Sequence, residues 1–435
     1  MERIERFFRI HERGSTVGTE VRAGVATFLT MAYILFVNPQ ILAEAGMPVA
    51  DVTIATALGA AIATLVMGLY ANYPFALAPG MGLNAYFTYG VVLGMGETWQ
   101  TALTAVFLEG LIFIGLSFGG VRTIILNAIP HSIKRATAAG IGLFLALIGF
   151  RNAGLVVDNP ATLVGLGDLQ SWPVLLALLG VALIAALESR KFKGGILVGI
   201  VAITVITWLT GLAAAPASFF SMPSFPKETF LAFEWDHLFT GKLLTVVIAF
   251  LFVDIFDTAG TLLGVGRVAG FLNEKDELPN ANKAFTADAV GTVAGAALGT
   301  STVTTFIESG AGVEEGGRTG LTAVVVSFFF LLALFFTPIF TAVPAVATAP
   351  ALIVVGALMI GGVVDLDWRR LDESVPAFLT VAMMPFTYSI ANGVVFGLLS
   401  WVVIKVISGR AREVHGVLWI LAGLLAAYYS FLRVG

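Results

Sequence analysis

Residues 300–320 read TSTVTTFIESGAGVEEGGRTG, three glutamates and a run of glycines set between two long apolar segments. Polar, glycine-rich backbone at membrane depth is tolerated only where it is buried in protein or lines a cavity. A carboxylate at that depth is costly and marks function by default. Glu308 is therefore the first candidate for a functional side chain.

On both sides of this stretch the chain is almost wholly apolar. Of 435 residues, 58% are hydrophobic and 12% charged, about half the charged share of a soluble domain. Apolar runs of roughly 17 to 25 residues, long enough to cross the hydrocarbon layer, recur along the whole chain. They predict a polytopic all-α membrane protein of fourteen spans. The first seven are 21–43, 51–70, 75–93, 99–117, 137–150, 172–187 and 194–212; the second seven are 243–263, 284–298, 300–315, 320–336, 343–363, 374–390 and 391–407. A further apolar stretch, 414–432, either spans again or lies at the interface. No cysteine occurs, and the four histidines have no metal-ligand spacing, so neither thiol chemistry nor a metal centre is expected. The net charge of −4 is spread over loops and gives no sign of nucleic acid. The amino terminus, MERIERFFRIHERGS, reads as a short interfacial helix on the cytoplasmic face rather than a cleavable signal.

Lysines and arginines, Arg122, Arg190 and Lys275 among them, fall almost entirely on one side of this arrangement. The other side holds only Arg151, Lys227 and Lys242. The positive-inside rule then places the amino terminus in the cytoplasm. A proline-bearing loop at about 213–242 separates two sets of seven spans, so the second set is inserted upside down relative to the first. Transporters use that inverted-repeat design, with the substrate near the midplane. Spans three and ten occupy matching positions, and both look broken: FALAPGMGLNAYF (75–87) carries Pro79–Gly80, and the β-branched run 300–305 leads into the glycines after Glu308. Each reads as a short extended piece followed by a half-helix, whose free N–H groups face a polar ligand.

Span eight contains FVDIFDTAGTLLGV (252–265). Asp254 lies near its middle and Asp257 follows one turn on, with Thr258 and Thr261 extending the polar stripe. Asp254, Asp257 and Glu308 are expected to share one site and to exchange a proton. For Asp257 the alternative is a hydrogen bond to backbone freed by a broken helix. Asn84 either reads a substrate edge or caps backbone, Asn38 beside Pro39 is expected to support a kink, and Glu109 in span four has no assigned partner. Glu314, Glu315 and Arg318 are expected to be solvated.

These segments, with TMAYILFVNPQIL (30–42), resemble the nucleobase/cation symporter superfamily, and within it the AzgA-like branch of adenine, guanine and hypoxanthine permeases. The resemblance runs the length of the chain. It implies a seven-plus-seven inverted repeat in which spans three and ten contribute short crossing strands. Residues 21–118 and 243–337 would form a core domain and 119–215 and 338–408 a gate, with an outer loop at 216–242 and terminal segments 1–20 and 409–435. It further implies that Asp254 and Glu308 bind the base, with Asn84, Asp257, Gly80, Met81 and Ser309 in or beside the site. Uracil-type relatives carry a glutamate in span eight, and the shorter Asp254 leaves room for a larger base. Phe252, Phe256 or Phe306 would take the flat faces of a purine, whose N–H donors suit a carboxylate. The expected activity is proton-coupled import of a purine nucleobase across the cell membrane of a bacterium, with no cofactor; monomer and homodimer both stay open. The rival reading is an anion transporter of the related sulfate-permease type. An enzyme is not expected, since no nucleophile elbow, zinc motif or cofactor fingerprint occurs.

Overall fold

A computed structural model describes residues 2–118, 129–236, 241–274 and 277–431. Arg122, His237, Lys275 and the expected start of the gate at residue 119 lie outside the described residues. Among those described, nine helices are long and apolar enough to cross a membrane. They cover spans one, two, four, five, six, eight, eleven, twelve and fourteen of the sequence reading, and the protein is a multi-pass membrane protein. The rest depart from a plain apolar helix for visible reasons. Span seven is a short helix, Gly195–Leu209, and span thirteen, Leu371–Phe386, has only 16 residues. Span nine, Ala281–Leu298, has the length but carries Lys283, Asp288 and Thr292.

Spans three and ten are interrupted, as their glycines and proline require. Span three runs as strand β1 (Leu77–Pro79), a five-residue helix Met81–Ala85 and a π-helical stretch Tyr86–Gly94. An exposed hairpin, β2 (Val156–Asn159) with β3 (Leu163–Leu166), joins spans five and six and had no signal in the span reading. Span ten is β4 (Val303–Thr305) followed by the short helix Ser309–Glu314. β1 and β4 pair antiparallel, with Leu77 opposite Thr305 and Pro79 opposite Val303. Each strand is held to the helix before it by a threonine: Thr64 donates to the Leu77 carbonyl at 3.0 Å and Thr292 to the Val303 carbonyl at 2.9 Å. Both strands are fully buried, which satisfies the demand that backbone freed at membrane depth find partners inside the protein.

Span one is two helices, Val17–Met31 and Ile34–Glu44, and the turn between them falls at Ala32–Tyr33. The expected kink at Pro39 is absorbed within the second helix. Asn38 is structural: its amide donates to Thr56 at 2.6 Å and to Thr300 at 2.9 Å, tying span one to span two and to the start of span ten. Spans one to four pack chiefly with eight to eleven, and five to seven chiefly with twelve to fourteen. After span fourteen the helix Gly416–Phe431 lies against it.

Candidate functional site

The site grows from the two strands. At the end of β1, the Gly80 N–H donates to the Thr302 carbonyl at 3.0 Å, so the two interrupted segments meet through main chain. A Cβ on Gly80 would stand 2.5 Å from Thr304 Cγ2 and 3.6 Å from the Asp257 carboxylate. Only glycine allows the strands to approach so closely while leaving the aspartate its place. Gly82, one residue past Met81, is crowded by Ile141 of span five, at 2.6 Å from where its Cβ would be. The two packing groups thus touch directly beside the break.

Glu308 opens the short helix of span ten, and its Oε1 accepts from the Tyr33 hydroxyl at 2.5 Å. Tyr33 is fully buried at the turn of span one, so the interruption there serves to aim a phenol at the carboxylate. Asp257 interacts with the Thr304 side chain and senses the charge of Glu308. Asp257, Glu308 and Met81 are all partly exposed, whereas most of their surroundings are buried. Two carboxylates and a methionine therefore keep partial exposure beside the crossing of the strands. An ionised carboxylate only accepts hydrogen bonds, so this position suits a ligand rich in N–H donors.

The other expected site residues sit behind this surface. Asn84 is fully buried, its Oδ1 accepting from the Ser301 hydroxyl and its Nδ2 without a partner. Ser309 Oγ accepts from the Ala76 N–H at 2.9 Å, so it holds the start of β1. Asp254 lies deeper: it is fully buried, its Oδ1 meets Thr258 Oγ1 at 3.4 Å, and its acidic neighbours include Glu109 and Asp288. The carboxylate that stands with Glu308 at the break is Asp257. Phe252 and Phe256 stack on each other, with ring centroids 6.0 Å apart. Glu315 is ion-paired with Lys193, at the turn before span seven, rather than freely solvated, and the Arg318 guanidinium donates to the carbonyls of Val313 and Gly317. Tyr33, Thr304 and Asp288 escaped the sequence reading. Tyr33 is an ordinary aromatic in an apolar run, and nothing local tells that it faces a residue 275 positions away.

Partly exposed carboxylates at the antiparallel crossing of two interrupted segments, deep among apolar helices, are the arrangement of a membrane transporter. A model of the Permease family (Xan_ur_permease) matches residues 18–396, and the chain belongs to this family. Within it the chain is 50% identical over 432 residues to a putative permease of Methanocaldococcus jannaschii, covering 99% of each. It is 43% identical to the adenine permease AdeP of Escherichia coli, over 99% of this chain and 96% of that one, and 44% identical to the guanine/hypoxanthine permease PbuG of Bacillus subtilis, over 99% and 100%. In fold it is similar to the transmembrane domain of the cyanobacterial bicarbonate transporter BicA, with a TM-score of 0.67 at 16% identity, covering 86% of this chain and 97% of that one.

Proposed function

We propose that this permease imports purine nucleobases, adenine, guanine or hypoxanthine, together with a proton, across the cytoplasmic membrane. The observation that carries the reading is the pair Asp257 and Glu308, two partly exposed carboxylates brought together at the strand crossing. Full-length similarity to adenine and guanine/hypoxanthine permeases supports the substrate class. A neutral purine offers adjacent N–H groups to such acceptors, and charge-assisted hydrogen bonds are about twice as strong as neutral ones. An anion would meet two like charges there instead of a cation, so the fold likeness to a bicarbonate transporter does not extend to its substrate.

In this reading all fourteen segments belong to the membrane unit, in two inverted sets of seven with the amino terminus cytoplasmic. Spans one to four and eight to eleven form a core that carries the base. Spans five to seven and twelve to fourteen form the gate against which it moves, Ile141 being the gate's contact beside the site. Alternating access is the usual consequence of such a design. The test is uptake of labelled adenine into proteoliposomes with an imposed inward proton gradient, challenged by unlabelled purines, uracil and bicarbonate. Competition by at least one further purine and none by bicarbonate is expected. Bicarbonate or sulfate flux without purine uptake would overturn the assignment.

A further inference from the structure

Glu109 of span four, Asp254 and Thr258 of span eight and Asp288 of span nine are each 0% exposed. The helices that carry them pack tightly: a Cβ on Gly110 would lie 2.8 Å from Val293. Glu109 meets Asp254 side chain to side chain within hydrogen-bonding reach, and Asp288 acts on both. Among the described residues no donor reaches either Glu109 oxygen, Asp254 Oδ2 or Asp288 Oδ2. The donors that reach the group are hydroxyls, Thr258 on Asp254 Oδ1 at 3.4 Å and Thr305 on Asp288 Oδ1 at 3.1 Å, with Thr258 and the Thr305 main chain also bonded to Asp288. The charged groups that act most on the pair are acids: Asp288, and the partly exposed Asp257. Among the described residues Lys405 is the only buried lysine or arginine, and it lies in span fourteen. Among them, too, no three acidic side chains are arranged to hold a metal ion.

Two carboxylates cannot touch in a dry site while both are ionised. A carboxylic acid, by contrast, has an O–H to donate and closes the contact that neither anion can make. Glu109, unpartnered and aimed at Asp254, therefore points to a proton as the ligand of this cluster. We propose that Glu109 and Asp254 form a proton-binding site separate from the carboxylates at the strand crossing, and that its proton is the one moved with the substrate.

The route to Asp257 is a line of hydroxyls. Thr258 Oγ1 meets Asp254 Oδ1 on one side and Thr304 Oγ1 on the other, the latter at 2.8 Å, and Thr304 meets Asp257. With the pair doubly protonated, the Asp254 proton passes to Thr258 as Thr258 gives its own to Thr304 and Thr304 gives its own to Asp257. Each hydroxyl gains one proton and loses one. The negative charge moves from Asp257 to the pair, which keeps one shared proton, and a neutral Asp257 loses its hold on the ligand's N–H groups. Proton uptake runs the same steps in reverse.

The coupling half of this proposal rests on the proposed function; the shared proton does not. The full-length protein in liposomes is therefore compared with Glu109→Gln and Asp254→Asn in two measurements. Infrared spectra of the ligand-free protein at neutral pH should show a carboxylic-acid carbonyl band that each substitution removes or shifts. Unchanged bands in both variants would overturn the proposal. Proton-driven accumulation of labelled adenine should fall about a hundredfold in Glu109→Gln, the scale of a positioned proton transfer. Wild-type accumulation with wild-type pH dependence would overturn the coupling role. A wild type that shows the band but moves no purine would support the proton site and count against the substrate assignment instead. Should Glu109→Gln fail to reach the membrane, Asp254→Asn, which preserves side-chain size, carries both measurements.

Discussion

Two groups of carboxylates share span eight and differ in what surrounds them. Asp257 and its partner Glu308 are partly exposed and supplied with donors, from Thr304 and Tyr33. Asp254 and its partner Glu109 are wholly buried, with three of their four oxygens lacking a donor among the described residues. Three residues along one helix separate a group suited to holding a ligand from a group suited to holding a proton. The difference is made by exposure and by neighbouring hydroxyls, not by residue type. Removing the ligand-facing member should therefore have the largest effect. Glu308→Ala is expected to lower uptake about a hundredfold or more while membrane expression is kept, because it deletes a charged acceptor and strands the Tyr33 hydroxyl. Transport at near wild-type rate in labelled-purine assays would mean that the exposed pair does not hold the substrate.

A finer cut leaves both carboxylates in place and removes only a donor. Tyr33→Phe deletes the hydroxyl that fixes Glu308, with no change in charge and little in volume. A hydrogen bond to a charged group is worth about 1.5–3 kcal/mol, so KM for the purine should rise about tenfold as Glu308 loses its orientation. The same substitution should leave the infrared signature of Glu109 and Asp254 untouched. If KM were unchanged, the phenol would be packing rather than positioning; if the infrared band moved, the two groups would not be separable.

Much of this was legible in the sequence. Proline, glycine and β-branched residues at 77–82 and 300–305 announced both interruptions, and Glu308 stood out as a carboxylate directly after the second of them. What could not be read was which of two aspartates one turn apart keeps partial exposure at the strand crossing. Asp254 and Asp257 lie on nearly the same helical face, and their environments are set by Glu109 on one side and Gly80 and Thr304 on the other. Glu109 lies 145 residues from Asp254, and Gly80 and Thr304 lie 177 and 47 residues from Asp257, so only the packing reveals them. Asn84 and Ser309 were flagged from the right segments, yet their bonds to Ser301 and Ala76 show them fastening the crossing itself.

One pairing between the halves was present in the sequence and escaped notice. Residues 96–101 read GETWQT and 317–322 read GRTGLT, each opening a helix, spans four and eleven. In span eleven the Glu20 carboxylate, from span one, accepts from the Arg318 and Thr319 N–H groups at 2.9 and 3.2 Å and from the Thr322 hydroxyl at 2.6 Å. In span four the Glu234 carboxylate, from just before span eight, accepts from the hydroxyls of Thr98 and Thr101. Each set thus lends a carboxylate to the helix start of the other, where it meets the positive end of the dipole. The two differ in setting, since Glu20 is fully buried and Glu234 only partly so. Glu20→Gln turns an amide N–H₂ toward backbone donors in a dry site and should cost about 1–3 kcal/mol. Glu234→Gln, facing hydroxyls that can rotate to accept, should cost about 0.5–1 kcal/mol. Thermal unfolding in detergent should rank Glu20→Gln below Glu234→Gln and both below the wild type. The reverse order would mean that solvent access does not set the strength of these two caps.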